Sequence, residues 1–327
     1  MTIRISSLLF FSALLMSLQG CAPSVYAVDP PDSSQYLYVP ANSQEASRLV
    51  FSDARTDTYT SFTSGRLPMG LTHNGATLDP ISFVEKYTVA ELTARGVPVT
   101  VSADGSTEIR INKIIMRNYR TTGFSPFTTV TMLSADVVTP AITTRVGSFV
   151  VRGKVPVWSF DEVIEPTMNQ PLQLLVQDLA AKINRILYQR ATPDSAVQEL
   201  VKQINADPDG ALSYVKVYEL GFSNNPSAID ALVEMTKSPH EYIRLAAISS
   251  LGTIAAESQV EYLIGLFKGD ANWQDKAMTV KSLGDIASAG NDQALTFLRD
   301  DVEALVAGES AAGAEWTREI LGLYLRD

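Results

Sequence analysis

The chain has 327 residues, enough for two domains, and 46% of them are apolar, which suits packed cores and excludes a disordered chain. Its formal net charge of -10 is unevenly placed: residues 28–190 carry 15 basic and 15 acidic side chains, residues 191–327 carry 10 and 21. So acidic a C-terminal half repels phosphate backbones and anionic lipid heads, which argues against nucleic acid as a partner, and a single cysteine excludes an internal disulfide and a Cys-based zinc site.

Arg4 gives the N-terminus a positive charge, and Leu8 to Leu18 form an apolar run of 11 residues, too short to span a bilayer and right for the core of a signal peptide. Leu18-Gln19-Gly20-Cys21 follows at once. This resembles the lipobox of bacterial lipoproteins: an apolar residue, a variable one, a small one, then Cys. The resemblance implies a signal peptide over 1–20, cleavage before Cys21, and acyl chains such as palmitate on Cys21. Ala22, not Asp, follows the Cys, which implies the periplasmic face of the outer membrane, if the host has one. An ordinary secretory signal cut after Val25-Tyr26-Ala27 is the competing reading. Residues 21–45 are rich in Pro, Ser and Asp and read as a flexible tether.

A first folded domain is expected over 46–190. Arg48–Ser52 reads as a strand, closed by a turn at Asp53-Ala54-Arg55, and residues 56–79 read as a long loop. Asp79 is placed to cap a helix that begins at Pro80 and stops at Gly96, with Phe83, Tyr87, Ala90 and Ala94 on its periodic face. Strands follow at 97–102, 108–119, 128–138 and 144–158, with a phase change near Lys113 that suggests a bulge. From 170 to 189 the apolar positions Leu172, Leu175, Val176, Leu179, Ile183, Ile186 and Leu187 keep helical spacing. The order of elements predicts an α+β fold, an antiparallel sheet packed by two helices. Val50–Arg55, the Glu91–Val97 helix end, the long strands and the closing helix resemble YajG-like lipoproteins and the auxiliary lipoproteins of ABC-type transport systems. That likeness implies an envelope accessory domain with no catalytic residues to carry over.

A second domain, 195–327, repeats. Leu220-Gly221, Leu251-Gly252, Leu283-Gly284 and Leu321-Gly322 recur at steps of 31, 32 and 38 residues. Between them lie helix pairs, clearest over 228–256 and 260–287. Ile243-Arg244-Leu245-Ala246-Ala247 opens a second helix as in HEAT repeats, which the region resembles in their short bacterial form. Small Ala246, Ala247 and Gly252 let neighbouring helices approach, and Ile243, Leu251 and Ile254 fill the seam, so stacked pairs share one core in an all-α, HEAT-like solenoid. Such stacks present a curved surface to partners. Tyr218, Tyr242 and Trp273 are candidate partner-binding residues, with Tyr214, Trp316, Glu241, Asp270 and Asp275 near them in the pattern.

Chemistry is sparse. Asp53 and Arg55 read as a turn ion pair, His73 as a lone histidine, and His240 as a solvated one. Asp207-Pro208-Asp209-Gly210 lacks the later ligands of a calcium loop. There is no phosphate loop and no Gly-x-Ser-x-Gly. The sequence therefore points to no catalytic, cofactor or metal residue and to a non-enzymatic protein. The expected function is a lipid-anchored envelope adaptor that binds a protein through its helical repeats. The alternative is an accessory lipoprotein that holds a lipid or small ligand for a transport system.

Overall fold

A computed structural model describes residues 24–40, 46–56, 61–269, 272–307 and 311–325. Cys21 and the signal-peptide reading lie outside the described residues. The first half contains β1 (Ser24–Ala27), β2 (Ser47–Asp53), β3 (Thr63–Gly65), β4 (Met69–His73), β5 (Ala76–Thr77), α1 (Pro80–Ala94), β6 (Val99–Val101), β7 (Thr107–Tyr119), β8 (Phe127–Val138), β9 (Thr143–Lys154) and α2 (Gln170–Leu187). Asp79 caps α1 by accepting from the Ile81 N–H at 3.0 Å, and Gly96 ends it in the left-handed region at φ +84.

The main sheet runs β6-β2-β7-β8-β9, with β3 also on β7. It is mixed, not antiparallel throughout as expected. β7, β8 and β9 form an antiparallel meander, with the register shift falling between Ile111 and Lys113. β2 pairs in parallel with both β6 and β7. The physical reason is the crossover: α1 lies between β2 and β6 in the chain, and a helical crossover returns the next strand in the same direction. Two further expectations change. The segment 56–79 is not one loop, because β3, β4 and β5 fall within it. Nor do the described residues 24–40 behave as a tether: β1 pairs in parallel with β4, Val28 and Tyr38 are buried, and the Tyr38 N–H donates to Arg95 O at 3.0 Å.

One face of the sheet packs on α1 and α2. Leu49, Ile109, Ile111, Ile114, Leu133 and Val137 meet Phe83, Val84 and Leu92 from α1 and Leu172, Leu175 and Leu179 from α2. Period-two strand patterning meets period-3.6 helix patterning there, as a two-layer core requires.

The second half is α3 (Asp194–Ala206), α4 (Ser213–Phe222), α5 (Ile229–Met235), α6 (Glu241–Thr253), α7 (Val260–Lys268), α8 (Trp273–Ser288), α9 (Asp292–Thr296), α10 (Val302–Val306) and α11 (Ala311–Leu321). The inner helices α4, α6 and α8 lie side by side, and α5, α7 and α9 form an outer row. The Leu-Gly period is explained by contact. A Cβ on Gly221 would stand 2.6 Å from Ser250 Oγ, and one on Gly252 would stand 2.5 Å from Ser282 Cα. The same serines donate back across the seam, Ser250 to Val217 O at 3.0 Å and Ser282 to Ile248 O at 2.6 Å. Gly284 is closed by the Tyr324 ring instead, 2.4 Å from where a Cβ would be. Gly322 meets nothing closer than 3.5 Å, so the fourth Leu-Gly is not part of this series.

The inner row does not stand free. Ile115, Val130, Met132, Phe149 and Val151 from the sheet's second face and Leu174 and Ala181 from α2 share one core with the repeat helices. The surface that a free solenoid would offer is filled by the protein's own first half.

Candidate functional site

The joint between the halves is built from one position on each turn of the inner row. Three residues before and one after each repeat glycine stand Tyr218 and Phe222, Ser249 and Thr253, then Lys281 and Asp285. The row thus passes from aromatic to hydroxyl to charged, and α2 answers it with Asp178 and Lys182. Lys182 Nζ lies 2.7 Å from Asp178 and 2.8 Å from Asp285, and Lys281 Nζ lies 2.9 Å from Asp285. Lys182, Lys281 and Asp285 are fully buried and Asp178 nearly so. Ser148 on β9 donates to Asp178 at 2.6 Å, Thr253 donates to it at 2.8 Å, and the Tyr324 hydroxyl donates to Asp285 at 2.8 Å. Lys182 also donates to Gly147 O. Burial pushes the Asp178 carboxyl up, but Lys182 and Lys281 outweigh it and hold the group well below the usual carboxylate range. Two cations and two anions with hydroxyl partners make a paired network of the kind an interior tolerates, and the guanidinium of Arg185 on α2 is buried within the field of both carboxylates.

A second cluster clamps the segment 24–40 on the same seam. Arg95, fully buried, pairs with Glu91 at 2.6 Å and with Glu219 of α4 at 2.8 Å. Ser34 reaches both acids, its N–H donating to Glu91 and its hydroxyl to Glu219. The Tyr38 ring lies 5.3 Å from the guanidinium, and its hydroxyl donates to Phe222 O at 2.8 Å. Burial, with Glu91 close by, raises the Glu219 carboxyl despite Arg95.

A cleft of about 380 Å³ opens where β9 meets α4 and α6, lined by Arg152, Asp209, Tyr214, His240, Glu241 and Tyr242 among others. The Arg152 guanidinium lies between two rings, 4.0 Å from Tyr214 and 3.7 Å from Tyr242. Its Nε and Nη1 are buried without a hydrogen-bond partner. His240 Nε2 and Asp209 Oδ1 approach to 2.5 Å at the rim. Burial raises the carboxyl of Glu241 and pushes the Tyr214 hydroxyl up to about 12.

The candidate partner-binding residues are placed by these seams. Tyr218 is buried, its ring stacked on Phe222 at 6.1 Å, so it faces the interior and not a partner. Tyr242 is half-buried at the joint, its hydroxyl donating to Gly153 O at 3.2 Å. Trp273 stacks on Trp316 at 6.5 Å, both half-buried. Asp275 accepts from Arg244 of the preceding repeat at 2.6 Å, an inter-repeat contact. Asp53 and Arg55 form their turn ion pair at 2.8 Å. His73 is not alone: its Nε2 shares a hydrogen bond with Tyr87 at 2.7 Å. Among the described residues no group of three or more His, Cys, Asp or Glu is placed to hold a metal, and no helix is long and apolar enough to cross a membrane. The network of Asp178, Lys182, Lys281 and Asp285 was not anticipated. Its signal is two i,i+4 pairs of opposite polarity, Asp178–Lys182 and Lys281–Asp285, on helix faces that otherwise read as apolar.

Among the described residues, the outer row of the repeats keeps an exposed face. Asp230, Glu234, Glu261, Asp292 and Asp301 are exposed along it, with Lys237 and Lys268 between them. A groove of about 390 Å³ runs between α7 and α9, lined by Glu261, Ile264, Lys268, Asp292, Phe297 and Asp301 among others. The arrangement pairs an apolar floor with a carboxylate rim, suited to a chain segment that carries Lys or Arg.

Fold and surfaces together define a helical-repeat protein whose repeats are docked on a mixed sheet. Residues 197–284 match the family model for HEAT repeats, so the C-terminal domain is HEAT-like. A search of curated proteins finds no match to the chain.

Proposed function

We propose that this protein is a lipid-anchored adaptor of the bacterial envelope that captures a protein partner carrying a basic segment on the outer row of its HEAT-like repeats. HEAT repeats commonly mediate protein–protein interaction, which supports a protein partner. The observation that carries the choice of surface is the filled inner row: with α4, α6 and α8 packed on α2 and β9, the acidic row α5, α7 and α9 keeps its face in solvent among the described residues. The anchor reading rests on the sequence Leu18-Gln19-Gly20-Cys21, the outer-membrane placement on Ala22, and the likeness to YajG-like lipoproteins on Val50–Arg55 and Glu91–Val97 of the first domain. The alternative, an accessory that holds a lipid between sheet and helices, has less support. That interface is packed with Leu49, Ile109, Ile111, Leu172 and Leu179, all buried.

The test is affinity capture from envelope extract with the full chain and with a triple variant, Glu261→Lys, Asp292→Lys and Asp301→Lys. The proposal expects a partner that the wild type retains at low salt and the variant loses at least about tenfold, because charged rims set attraction more than packing does. Equal capture by both chains would refute the outer-row assignment. Mass spectrometry of the N-terminal peptide tests the anchor separately.

A further inference from the structure

One end of the main sheet exposes aromatic side chains that the adaptor reading leaves unused. Phe124 is 95% and Trp158 is 93% exposed, and Val157, next to Trp158 in the chain, is more than half exposed. Phe124 and Trp158 converge because β8 and β9 do. Phe127 of β8 is paired with Lys154 of β9, so the loop 120–126 and the segment 155–159 leave the sheet side by side. The Tyr26 ring of β1 lies 5.0 Å from Phe160, tilted, and Phe160 meets Phe127 edge to face at 5.0 Å, which brings β1 to the same end.

Both tips are held in shape. Glu162 accepts from the backbone N–H groups of Val157, Trp158 and Ser159 at 2.8–3.1 Å. Arg120 donates to Gly123 O at 2.5 Å and to Ser125 O at 3.3 Å, closing the loop that carries Phe124. Exposing two large rings to water is unfavourable, and fixed loops that do so place them for something apolar. Arg120 lies in the loop that carries Phe124 and Lys154 ends β9 beside Phe127, against exposed Asp161 and Glu165. The Arg66 guanidinium lies 4.9 Å over the Tyr119 ring. Exposed aromatic tips with Arg66, Arg120 and Lys154 at the same end of the sheet suit the boundary of a bilayer, where Trp sits at headgroup depth. The acidic repeats, net -11 over residues 191–327, are unsuited to that surface.

The chain supplies the direction. β1 starts at Ser24, level with Met69, on the side of β4 nearest this end, and two residues separate Ser24 from Cys21. Those three Cα-to-Cα steps reach about 10 Å at most. We infer that this end of the sheet lies against the membrane, with Trp158 and Phe124 inserted at the lipid interface beside the acyl chains on Cys21. The inference deepens the anchor reading and rests on it for the position of the bilayer.

The full chain, with its leader, is produced in a bacterium that has an envelope and is extracted in detergent. Mass spectrometry reports whether Cys21 is acylated. The protein is then reconstituted in vesicles of phosphatidylethanolamine and phosphatidylglycerol with bromine on the acyl chains, and tryptophan emission is recorded. Trp273 and Trp316, stacked within the repeats, serve as the reference that lipid does not reach. The expected result is a quenched component that disappears in Trp158→Phe. For a chain without acyl groups, cosedimentation with the same vesicles should weaken about tenfold or more in the double variant Trp158→Ser, Phe124→Ser, since binding scales with buried apolar area. An acylated chain whose Trp158 stays unquenched overturns the inference and leaves the anchor standing, as does protection of Trp158 by a bound protein. An unacylated chain that binds through the two rings overturns the anchor and leaves the face standing. An unacylated chain whose binding ignores the two rings, or is absent, overturns both.

Discussion

The inner and outer rows of the repeats come from the same helix pairs and have opposite fates. The inner row is closed by glycines, serines and a buried ionic network, and it touches the sheet, α2 and the clamped segment 24–40. The outer row keeps its carboxylates in water. The difference teaches that a repeat motif specifies how helices stack, not which side stays free. Here the side that usually recruits is used internally, so mutations on the two rows should separate cleanly into loss of stability and loss of binding.

The strongest test of that separation is the ionic joint. Asp285→Ala leaves Lys182 and Lys281, both fully buried, with Asp178 as their remaining carboxylate. Removing one partner from a buried network costs about 3–5 kcal/mol, measurable as a lower urea midpoint. Charge reversals on the outer row should stay within about 0.5 kcal/mol of wild type in the same experiment. Equal losses from both rows would dissolve the comparison.

The glycine series gives a smaller, sharper contrast. Gly252→Ala forces a methyl to within 2.5 Å of Ser282 Cα, whereas Gly322→Ala meets nothing within 3.4 Å. The first should cost about 1–3 kcal/mol by overpacking, and the second should be close to neutral. Thermal unfolding of the two variants side by side checks it.

How much of this was legible in the sequence follows the range of each interaction. The α1 helix could be read because Asp79 and Gly96 act within a turn of the backbone they cap. The bulge at Lys113 could be read because side-chain phase is a property of one strand. The Leu-Gly period announced close helix contact before the contacts were known. What was not legible depends on partners distant in the chain. The Pro-rich composition of 24–40 looks like a tether until Tyr38 finds Phe222 O and Ser34 finds Glu219. Tyr218 and Tyr242 look like surface aromatics until α2 and β9 cover the row they stand on. The parallel pairing of β2 is invisible in its own residues, since alternation along a strand is the same for either direction.

The smallest expected effect is in pH, and it distinguishes the two buried clusters at the inner seam. Glu219 has its carboxyl raised in the folded protein by burial and by Glu91, so the folded chain takes up a proton at a pH where the unfolded chain does not. Stability should therefore rise as pH falls through the folded value, and the gain is complete below the unfolded value of about 4.3. Asp178 behaves in the opposite sense: its folded value is depressed, so the stability it supplies is present above the unfolded value of about 3.9 and is lost as pH falls further, toward its folded value. The urea midpoint should thus show a shallow maximum in mild acid, followed by a decline at lower pH. Glu219→Gln should flatten the rise and keep the decline, because Asp178 on α2 is untouched. Asp178→Asn should do the reverse at a lower overall stability. The exposed carboxylates of the outer row have no buried partner to lose and contribute little to either limb. A midpoint that falls steadily from neutral pH, with the same slope in both variants, would mean that repulsion and titration at the surface govern acid stability and that neither buried cluster does.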